Sequence, residues 1–325
     1  MNYFFNILIF LMVLFLYIHI AAQLKTSEDL EIYEMDYTNN QNLQEICELK
    51  QPVLFDFKPI SPTFYENITS DFIEEHASQD VIVKDIQDYD HVADSVDSIV
   101  LSAESATGLM KTDTRSRYFT ENNHEFIEET SAYEQFYEND SLLKPMFSVV
   151  TKYDIMFGSD NTYTPLRYHT DSRRFISTQS GKIKVKMTPW KSTKYLYPNR
   201  DFHNYEFWSP VNIWKPNAKY KKELDKMKFL EFDVEPGYVL YIPSYWWYSI
   251  QFSEPDTLAT SFQYNTIINC VSNARNLSLY FIQQNNTTTR VTKSIPIKPT
   301  HITGDNDSDP EDEISNEENK IPINT

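Results

Sequence analysis

The sequence is poor in glycine, cysteine and positive charge, and each shortage limits what the protein can be. Only 5 of its 325 residues are glycine, so Gly158, Gly181 and Gly237 mark points where the backbone needs unusual freedom. Two cysteines, Cys47 and Cys270, allow at most one disulfide and no CxxC metal site. The 29 Lys and Arg against 47 Asp and Glu give a net charge of −18. That charge opposes binding to nucleic-acid phosphates, and we expect no nucleic-acid partner.

Large aromatic side chains are abundant instead, with 22 Tyr, 21 Phe and 5 Trp. They bury large surfaces, so a packed core is feasible even though the hydrophobic fraction is only 41%. A chain of 325 residues accommodates one large domain of about 250 residues plus appendages, since all-β barrels of that size form single units.

Residues 4–22 are almost wholly apolar and would form a helix about 28 Å long, close to the thickness of a bilayer's hydrocarbon core. We predict a single-pass, N-terminal transmembrane anchor in contact with membrane lipid, and hence a membrane location. A cleaved signal peptide is the alternative, because Ala21 and Ala22 resemble a cleavage site. No Lys or Arg precedes the apolar run, however, and Ile20 fits the small −3 position poorly.

The segment 234–251 has the clearest local pattern, VEPGYVLYIPSYWWYSIQ. Pro236 and Gly237 predict a turn, and the apolar run 239–242 predicts a buried strand that Pro243 ends. The alternation that starts at Tyr248 predicts a second strand with one buried face.

This segment resembles the "PGDVLYIPxxWWH" signature of the cupin-like/JmjC-related family, which includes the asparagine hydroxylase called factor inhibiting HIF. Residues 156–189 are similar to the other half of the signature, "G…TPLHxD…NxxxQxxGxKxxxLxPP". The Asn-, Lys- and Ile-rich composition also resembles that of cupin-like proteins of large DNA viruses. The resemblance implies a mainly β fold with flanking helices, a double-stranded β-helix (cupin/JmjC-like jelly roll), in addition to the N-terminal transmembrane helix. Enzymes of the family use Fe(II) and 2-oxoglutarate.

The resemblance also implies where iron would bind. His169 and Asp171 match the family's His-x-Asp pair when residues are counted back from Gly181, and residues i and i+2 of a strand project to one face. Counting forward from Thr164 instead places Arg167 at the histidine position and His169 at the aspartate position. We prefer the first alignment and interpret His169 and Asp171 as vestigial metal ligands. Tyr248 stands where the enzymes have their second iron-binding histidine, and a phenol is a weak ligand for Fe(II).

The position of the lysine that pairs with 2-oxoglutarate in the relatives is Ile183, and Arg174 replaces an asparagine of the family pattern. Thr164 and Arg174 remain the candidates for cosubstrate binding, because an arginine can bind a carboxylate with two hydrogen bonds.

Four regions are predicted from this: the anchor 4–22, an acidic stalk 23–40, a cupin-like domain 41–285 and a disordered acidic tail 286–325. The leading hypothesis is a membrane-anchored domain with a degenerate iron site, no catalytic residues and no cofactor, which binds a protein partner or has a structural role. One alternative is an active Fe(II)/2-oxoglutarate-dependent protein hydroxylase. The other is a metal-free cupin that binds a small molecule.

Overall fold

The computed structural model of the chain describes residues 2–90 and 96–285. The predicted acidic tail 286–325 lies outside the described residues, and its disorder stays a prediction.

Fifteen strands are present in the described ranges: β1 (Tyr33–Glu34), β2 (Val53–Asp56), β3 (Asp80–Asp85), β4 (Ile99–Ser102), β5 (Tyr118–Thr120), β6 (Ser148–Phe157), β7 (Leu166–Tyr168), β8 (Arg173–Ser180), β9 (Ile183–Thr188), β10 (Asn199–Asp201), β11 (Glu206–Ser209), β12 (Leu230–Val234), β13 (Tyr238–Ile242), β14 (Trp247–Phe252) and β15 (Leu258–Thr266). The α-helices of the same ranges are α1 (Asn2–Leu24), α2 (Asn40–Cys47), α3 (Pro62–Asn67), α4 (Ser70–Glu75), α5 (Ala103–Thr112), α6 (His124–Glu128), α7 (Ala132–Glu138), α8 (Asp140–Leu143), α9 (Lys221–Leu224), α10 (Ile267–Ser272) and α11 (Ala274–Gln284).

Two six-stranded sheets form the barrel. The first sheet has the order β1-β2-β13-β8-β15-β6, and the second has the order β10-β11-β7-β14-β9-β12. The chain alternates between them, because β6, β8, β13 and β15 lie in the first sheet while β7, β9, β12 and β14 lie in the second. This alternation is the arrangement expected for a double-stranded β-helix, and the prediction of a mainly β, cupin-like domain with flanking helices is confirmed.

Side-chain alternation divides the core into layers. On β8, Phe175 faces the helices that cover the first sheet, whereas Ile176 faces the barrel interior. Val185 and Met187 on β9 share that interior with Tyr248. Lys184 and Lys186 project outward and pair with Glu231 of β12. The alternating lysines are therefore a solvated strand face, as their spacing indicates.

The turn predicted at Pro236 and Gly237 is present, and Gly181 also has a positive φ, whereas Gly158 does not. Gly237 has a φ of +96° and its carbonyl accepts the backbone N–H groups of Phe57 and Lys58 at 2.9 and 3.0 Å. The predicted strands 239–242 and 248–252 on either side of Pro243 correspond to β13 and β14.

The stalk 23–40 is shorter than the sequence indicates. Tyr33 and Glu34 form β1, which pairs in parallel with Val53 and Leu54 of β2. The Met35 N–H continues this pairing by donating to the Leu54 carbonyl at 3.1 Å. The chain thus joins the barrel at about residue 33, because β2 is otherwise an edge strand with free backbone groups. The other domain boundaries stay predictions.

The segment between β2 and β6 adds a small sheet, β4-β3-β5, and helices α3 to α8. Their buried side chains, among them Val83, Ala106 and Phe136, join Phe175 and Phe262 of the first sheet in one core. The segment is therefore an insertion that packs on the barrel, and it has more regular structure than its polar sequence indicates.

Helix α1 spans Asn2–Leu24, and residues 3–24 are long and apolar enough to cross a membrane by length and composition. A signal sequence near the N-terminus would meet the same test. Ile20 and Gln23 are half-buried while residues 3–19 are exposed, so the helix meets the domain at its C-terminal end, where it packs against α10.

Candidate functional site

A row of three large side chains crosses the second sheet at the mouth of the barrel. Trp208 of β11 is the cross-strand partner of Arg167 on β7, and Arg167 is in turn the partner of Tyr248 on β14. Cross-strand partners project to the same face, so all three side chains enter the barrel interior. The Arg167 guanidinium lies 5.6 Å from the centre of the Tyr248 ring. Tyr248 is fully buried.

The Arg174 guanidinium occupies the centre of this site. Its Nε and Nη2 donate to one carboxylate oxygen of Asp171, at 2.9 and 2.6 Å. Its Nη1 donates to the Tyr248 hydroxyl at 2.7 Å, and Nη2 also donates to Gln263 at 3.1 Å. Burial would raise the pKa of Asp171, but the positive charge of Arg174 outweighs it and holds that pKa below its usual range.

His169 lies beside this pair with its ring at 5.9 Å from the Tyr248 ring. Its Nε2 is 3.1 Å from the carbonyl oxygen of Ile242, which can only accept, so Nε2 carries the proton. Its Nδ1 is 3.6 Å from the Asp171 carboxylate. Burial, and next the charge of Arg174, lower the pKa of His169 to about 3, so the imidazole is neutral at physiological pH.

Helix α10 covers the mouth. Asn269 and Asn273 donate to the carbonyl of Thr170 at 2.9 and 3.5 Å. Asn265, just before the helix, donates to the second carboxylate oxygen of Asp171 at 3.2 Å. The loop 169–172 is therefore held from both sides, by the guanidinium inside and by amides outside.

A second set of buried charges adjoins the site and escaped the sequence-based analysis. Glu121 is 1% exposed and pairs with Lys84 at 2.9 Å and with Arg167. Lys84 also pairs with Glu206, which accepts from the Tyr89 hydroxyl at 3.0 Å. Burial would raise the pKa of Glu121, but Arg167 and Lys84 lower it to about 2.

One signal in the sequence could have revealed this cluster. Lys84 has the same strand parity as Ile82 and Ile86, so the apolar face that these two residues predict includes position 84. A lysine at such a position needs an anionic partner, because a buried charge is strongly disfavoured when it is unpaired.

The structure brings together four of the five residues singled out from the sequence: His169, Asp171, Arg174 and Tyr248. Thr164 has another environment, since its hydroxyl accepts the N–H of Ile250 at 3.0 Å and none of its hydrogen bonds in the described part of the chain reaches the group.

The strand register bears on the two alignments of the iron-binding motif. It pairs Tyr248 with Arg167, the residue that the count from Thr164 places at the first histidine position. This favours the alignment that we did not prefer, in which His169 takes the aspartate position. The assignment of His169 and Asp171 as vestigial metal ligands remains a prediction.

The residues present do not fit an Fe(II) centre. A facial triad requires two imidazoles and a carboxylate with free lone pairs. Here His169 supplies one nitrogen, the Asp171 carboxylate is engaged by Arg174, and two guanidinium cations adjoin the Tyr248 phenol. Within residues 2–90 and 96–285, no group of three or more His, Cys, Asp or Glu side chains could hold a metal ion.

A cleft of about 340 Å³ opens at the opposite end of the barrel. Strand β15 connects the two ends, because Leu258 at its start lines the cleft and Tyr264 near its end lies by the mouth. The floor of the cleft is apolar, and its lining includes four carboxylate side chains and one lysine: Glu74, Asp113, Asp160, Asp256 and Lys111.

Comparison with known proteins gives one family and several distant relatives. The model of the cupin-like domain family matches residues 93–270. HSPB1-associated protein 1 of Bos taurus is 24% identical over 106 residues, which cover 32% of this chain and 22% of that protein. The Mus musculus protein gives the same values, and the Danio rerio homolog is 22% identical over 108 residues, 33% of this chain and 24% of its own length. The chain thus spans less than a quarter of the length of these curated relatives.

Proposed function

Since the chain belongs to the cupin-like domain family, whose model matches residues 93–270, we propose that it is a membrane-anchored, non-catalytic member that serves as a binding module for another protein. The proposal includes a degenerate iron centre, an N-terminal membrane anchor, and a relationship to the factor-inhibiting-HIF type and to cupin-like proteins of large DNA viruses. The sequence motif supports the first relationship, and the amino-acid composition supports the second.

The position of Arg174 carries the proposal. Its guanidinium lies between Asp171 and Tyr248 and donates to both, and Tyr248 stands where the family's enzymes have their second iron-binding histidine. A divalent cation at this point would lie within a few ångströms of a fixed positive charge. At about 4 Å, even in a medium with an effective dielectric constant of 20, two unit charges interact by about 4 kcal/mol, and a doubly charged ion would meet about twice that repulsion.

The surroundings of the site support the same conclusion. The cations of Lys84 and Arg167 both pair with the buried carboxylate of Glu121, so an anionic cosubstrate is not needed to balance their charge, although the buried Nε of Arg167 has no hydrogen-bond partner within the described residues. Ile183 packs in the barrel core at the position where the relatives have the lysine that binds 2-oxoglutarate. Helix α10 closes the mouth above Thr170.

The binding role rests on two observations. The relatives carry the name HSPB1-associated protein 1, which describes association with a protein. The cleft at the far end of the barrel combines an apolar floor, which includes Ile73, Met110 and Leu258, with the carboxylates of its lining. A partner segment with an apolar side chain and a neighbouring Lys or Arg would complement it.

Iron binding and turnover test the proposal. We expect the purified full-length chain, loaded anaerobically with Fe(II) in detergent, to retain no stoichiometric iron and to form no succinate from 2-oxoglutarate. Stoichiometric iron together with succinate would replace the proposal with the hydroxylase alternative. Saturable binding of a small molecule without iron, blocked by a bulky side chain at Ile250 inside the barrel, would replace it with the metal-free small-molecule cupin.

The partner role needs its own experiment. Thr107→Trp would fill the cleft from its half-exposed wall, whereas Gly108→Trp, at the next position on α5, points into open space. We expect the first variant to abolish cross-linking of a cationic, apolar peptide probe and the second to preserve it. Equal cross-linking of the two variants would remove the cleft as the binding site.

A further inference from the structure

One surface of the domain combines exposed apolar side chains with a lack of negative charge. We name it the apolar rim and define it by two segments, residues 144–152 and 265–275. The exposed side chains of the rim include Met146, Phe147, Val149, Val150, Ile267 and Val271. Phe147 is 75% exposed and Met146 is 78% exposed, values that a soluble surface seldom reaches for side chains of this size when they are grouped.

Hydrogen bonds join the two segments into one surface. Strand β15 pairs with β6 so that Asn265 lies opposite Val150 and Thr266 opposite Ser148. The N–H of Ile267, the first residue of α10, donates to the carbonyl of Phe147 at 3.2 Å. The exposed apolar groups of the strand edge and of the helix are thus neighbours.

The charge of the rim differs from that of the whole chain. Asp and Glu make up 47 of the 325 residues, yet none occurs in residues 141–153 or 257–285. Both segments contain cations: Lys144, which pairs with Asp140, and also Lys152 and Arg275. The last two form no ion pair within the described ranges and are exposed. A surface that is apolar and cationic in a protein of charge −18 matches an anionic lipid headgroup layer.

The apolar helix α1 lies against this same surface. It packs on α10, and residues 3–19 of α1 are exposed. Only four residues separate Leu24, the end of α1, from Asp29, which accepts from Gln51 of the domain at 3.1 Å. Glu28 also pairs with Lys191 at 3.5 Å. The short, tethered link keeps the rim close to the membrane surface from which α1 emerges.

We propose that the apolar rim lies on the bilayer surface, with Phe147 and its neighbours among the headgroups and with Lys152 and Arg275 facing anionic lipids. The inference rests on the anchor that the proposed function assigns to α1. It gives the domain a fixed orientation: α10 and the covered mouth of the barrel face the membrane, and the cleft lined by Leu258 points away from it.

Single-cysteine labelling of the full chain tests this orientation. Cys270 is replaced by Ser, and Cys47 can remain, because it is fully buried and burial raises the pKa of its thiol to about 12. An environment-sensitive fluorophore is attached at Leu11→Cys, Val149→Cys or Val100→Cys. Val149 and Val100 are a matched pair, since both lie on edge strands and are 56% and 59% exposed. Each protein is reconstituted in vesicles of phosphatidylcholine with a minor fraction of phosphatidylserine.

We expect doxyl-labelled lipid to quench the probes at positions 11 and 149, with blue-shifted emission, and aqueous iodide to quench the probe at position 100. Iodide quenching at position 149 with lipid quenching at position 11 would overturn the rim proposal and leave the anchor intact. Iodide quenching at position 11 would overturn the anchor and the rim proposal together.

The contribution of charge is tested with Lys152→Glu combined with Arg275→Glu. Loss of each cation alone should weaken apposition about fivefold, and each new carboxylate should weaken it further, so lipid quenching at position 149 should fall while quenching at position 11 stays constant. Pure phosphatidylcholine vesicles should have the same effect on the unmodified rim. Unchanged quenching in both experiments would refute the role of anionic lipid.

Discussion

Replacing Arg174 by Met tests directly whether the centre of the barrel is a structural ion pair. The substitution keeps the length of the side chain and removes its charge. It deletes two hydrogen bonds to Asp171 and one to the Tyr248 hydroxyl. Asp171 is 8% exposed, so its carboxylate would remain buried with only the amide of Asn265 as a side-chain donor.

The expected cost is about 3–5 kcal/mol, the range for removing one partner of a buried pair. Protonation of Asp171 limits the ionic part of that cost. With an ordinary carboxyl pKa of about 3.9, taking up a proton at pH 7 costs about 4 kcal/mol, and at pH 5 about 1.5 kcal/mol. The destabilisation should therefore be smaller at pH 5 than at pH 7 by about 2 kcal/mol or somewhat more.

In the unsubstituted protein, the pH dependence of stability that is due to Asp171 has the opposite sign. The pKa of Asp171 is lowered there, so its contribution to stability is present above about pH 4 and is lost as the pH falls through the folded-state pKa. Between pH 7 and pH 5 this group adds no pH dependence of its own.

Urea unfolding of the full chain in detergent, followed by tryptophan fluorescence, measures the effect. All five tryptophans lie between residues 190 and 247, so the signal reports on the barrel. Asp171→Asn and the double variant complete a thermodynamic cycle, in which the double variant should be more stable than the sum of the single effects by about 0.5–3 kcal/mol. A loss below about 1 kcal/mol for Arg174→Met, or equal losses at pH 5 and pH 7, would show that Asp171 is solvated, since exposed pairs contribute at most about that much.

Three further predictions concern histidine titration, a glycine turn and the second charge cluster. The pKa of His169 is about 3 in the folded protein, below its ordinary value of about 6.5. As the pH is lowered below 6.5, the unfolded chain therefore binds a proton at this residue before the folded protein does, and the folded protein is destabilised. Unfolding measurements should show the unsubstituted protein losing about 2 kcal/mol of stability relative to His169→Gln between pH 6.5 and pH 5. Gly181→Ala, at a φ of +62° and with a Cβ that would clash with the Thr257 hydroxyl, should cost about 2–4 kcal/mol in urea unfolding. Gly108→Ala in helix α5 should instead stabilise the protein by about 0.5–1 kcal/mol, and equal effects would contradict the turn geometry. In urea unfolding, Glu121→Gln should cost about 3–5 kcal/mol, because Lys84 and Arg167 lose their shared partner. Glu231→Gln, on the exposed strand face, should cost at most about 1 kcal/mol. Comparable losses for the two variants would contradict the argument from burial.

Local patterns predicted individual strands because they act within a few residues, whereas the barrel itself was implied by the family resemblance. Pro236, Gly237 and Pro243 bounded the strand that corresponds to β13, and the alternation that starts at Tyr248 predicted β14. The same reasoning placed Tyr248 in the barrel interior. These are consequences of strand parity and turn chemistry, which do not require knowledge of distant partners.

Contacts between distant segments were not predictable in the same way. Glu121, in a polar region without clear periodicity, meets Arg167 only after the small sheet packs on the barrel. Strand β1 was interpreted as stalk because two residues carry too little pattern to define a strand. Arg174 and Asp171 form an ion pair and are only three residues apart in the sequence. The hydrogen bond from Arg174 to Tyr248, however, depends on strand β14, because Tyr248 lies seventy-four residues further along the chain.

The amides that α10 extends to Thr170 have a consequence for how such a barrel can evolve. Asn269 holds the loop 169–172 from outside and Arg174 holds it from inside. A single replacement that introduced a metal-binding side chain here would therefore leave a neighbouring polar group without its hydrogen-bond partner. If the proposed non-catalytic role is correct, a return to metal binding would require several coordinated substitutions, each destabilising alone. Under that proposal, the hydrogen bonds around residues 169–174 would make the loss of a metal site difficult to reverse.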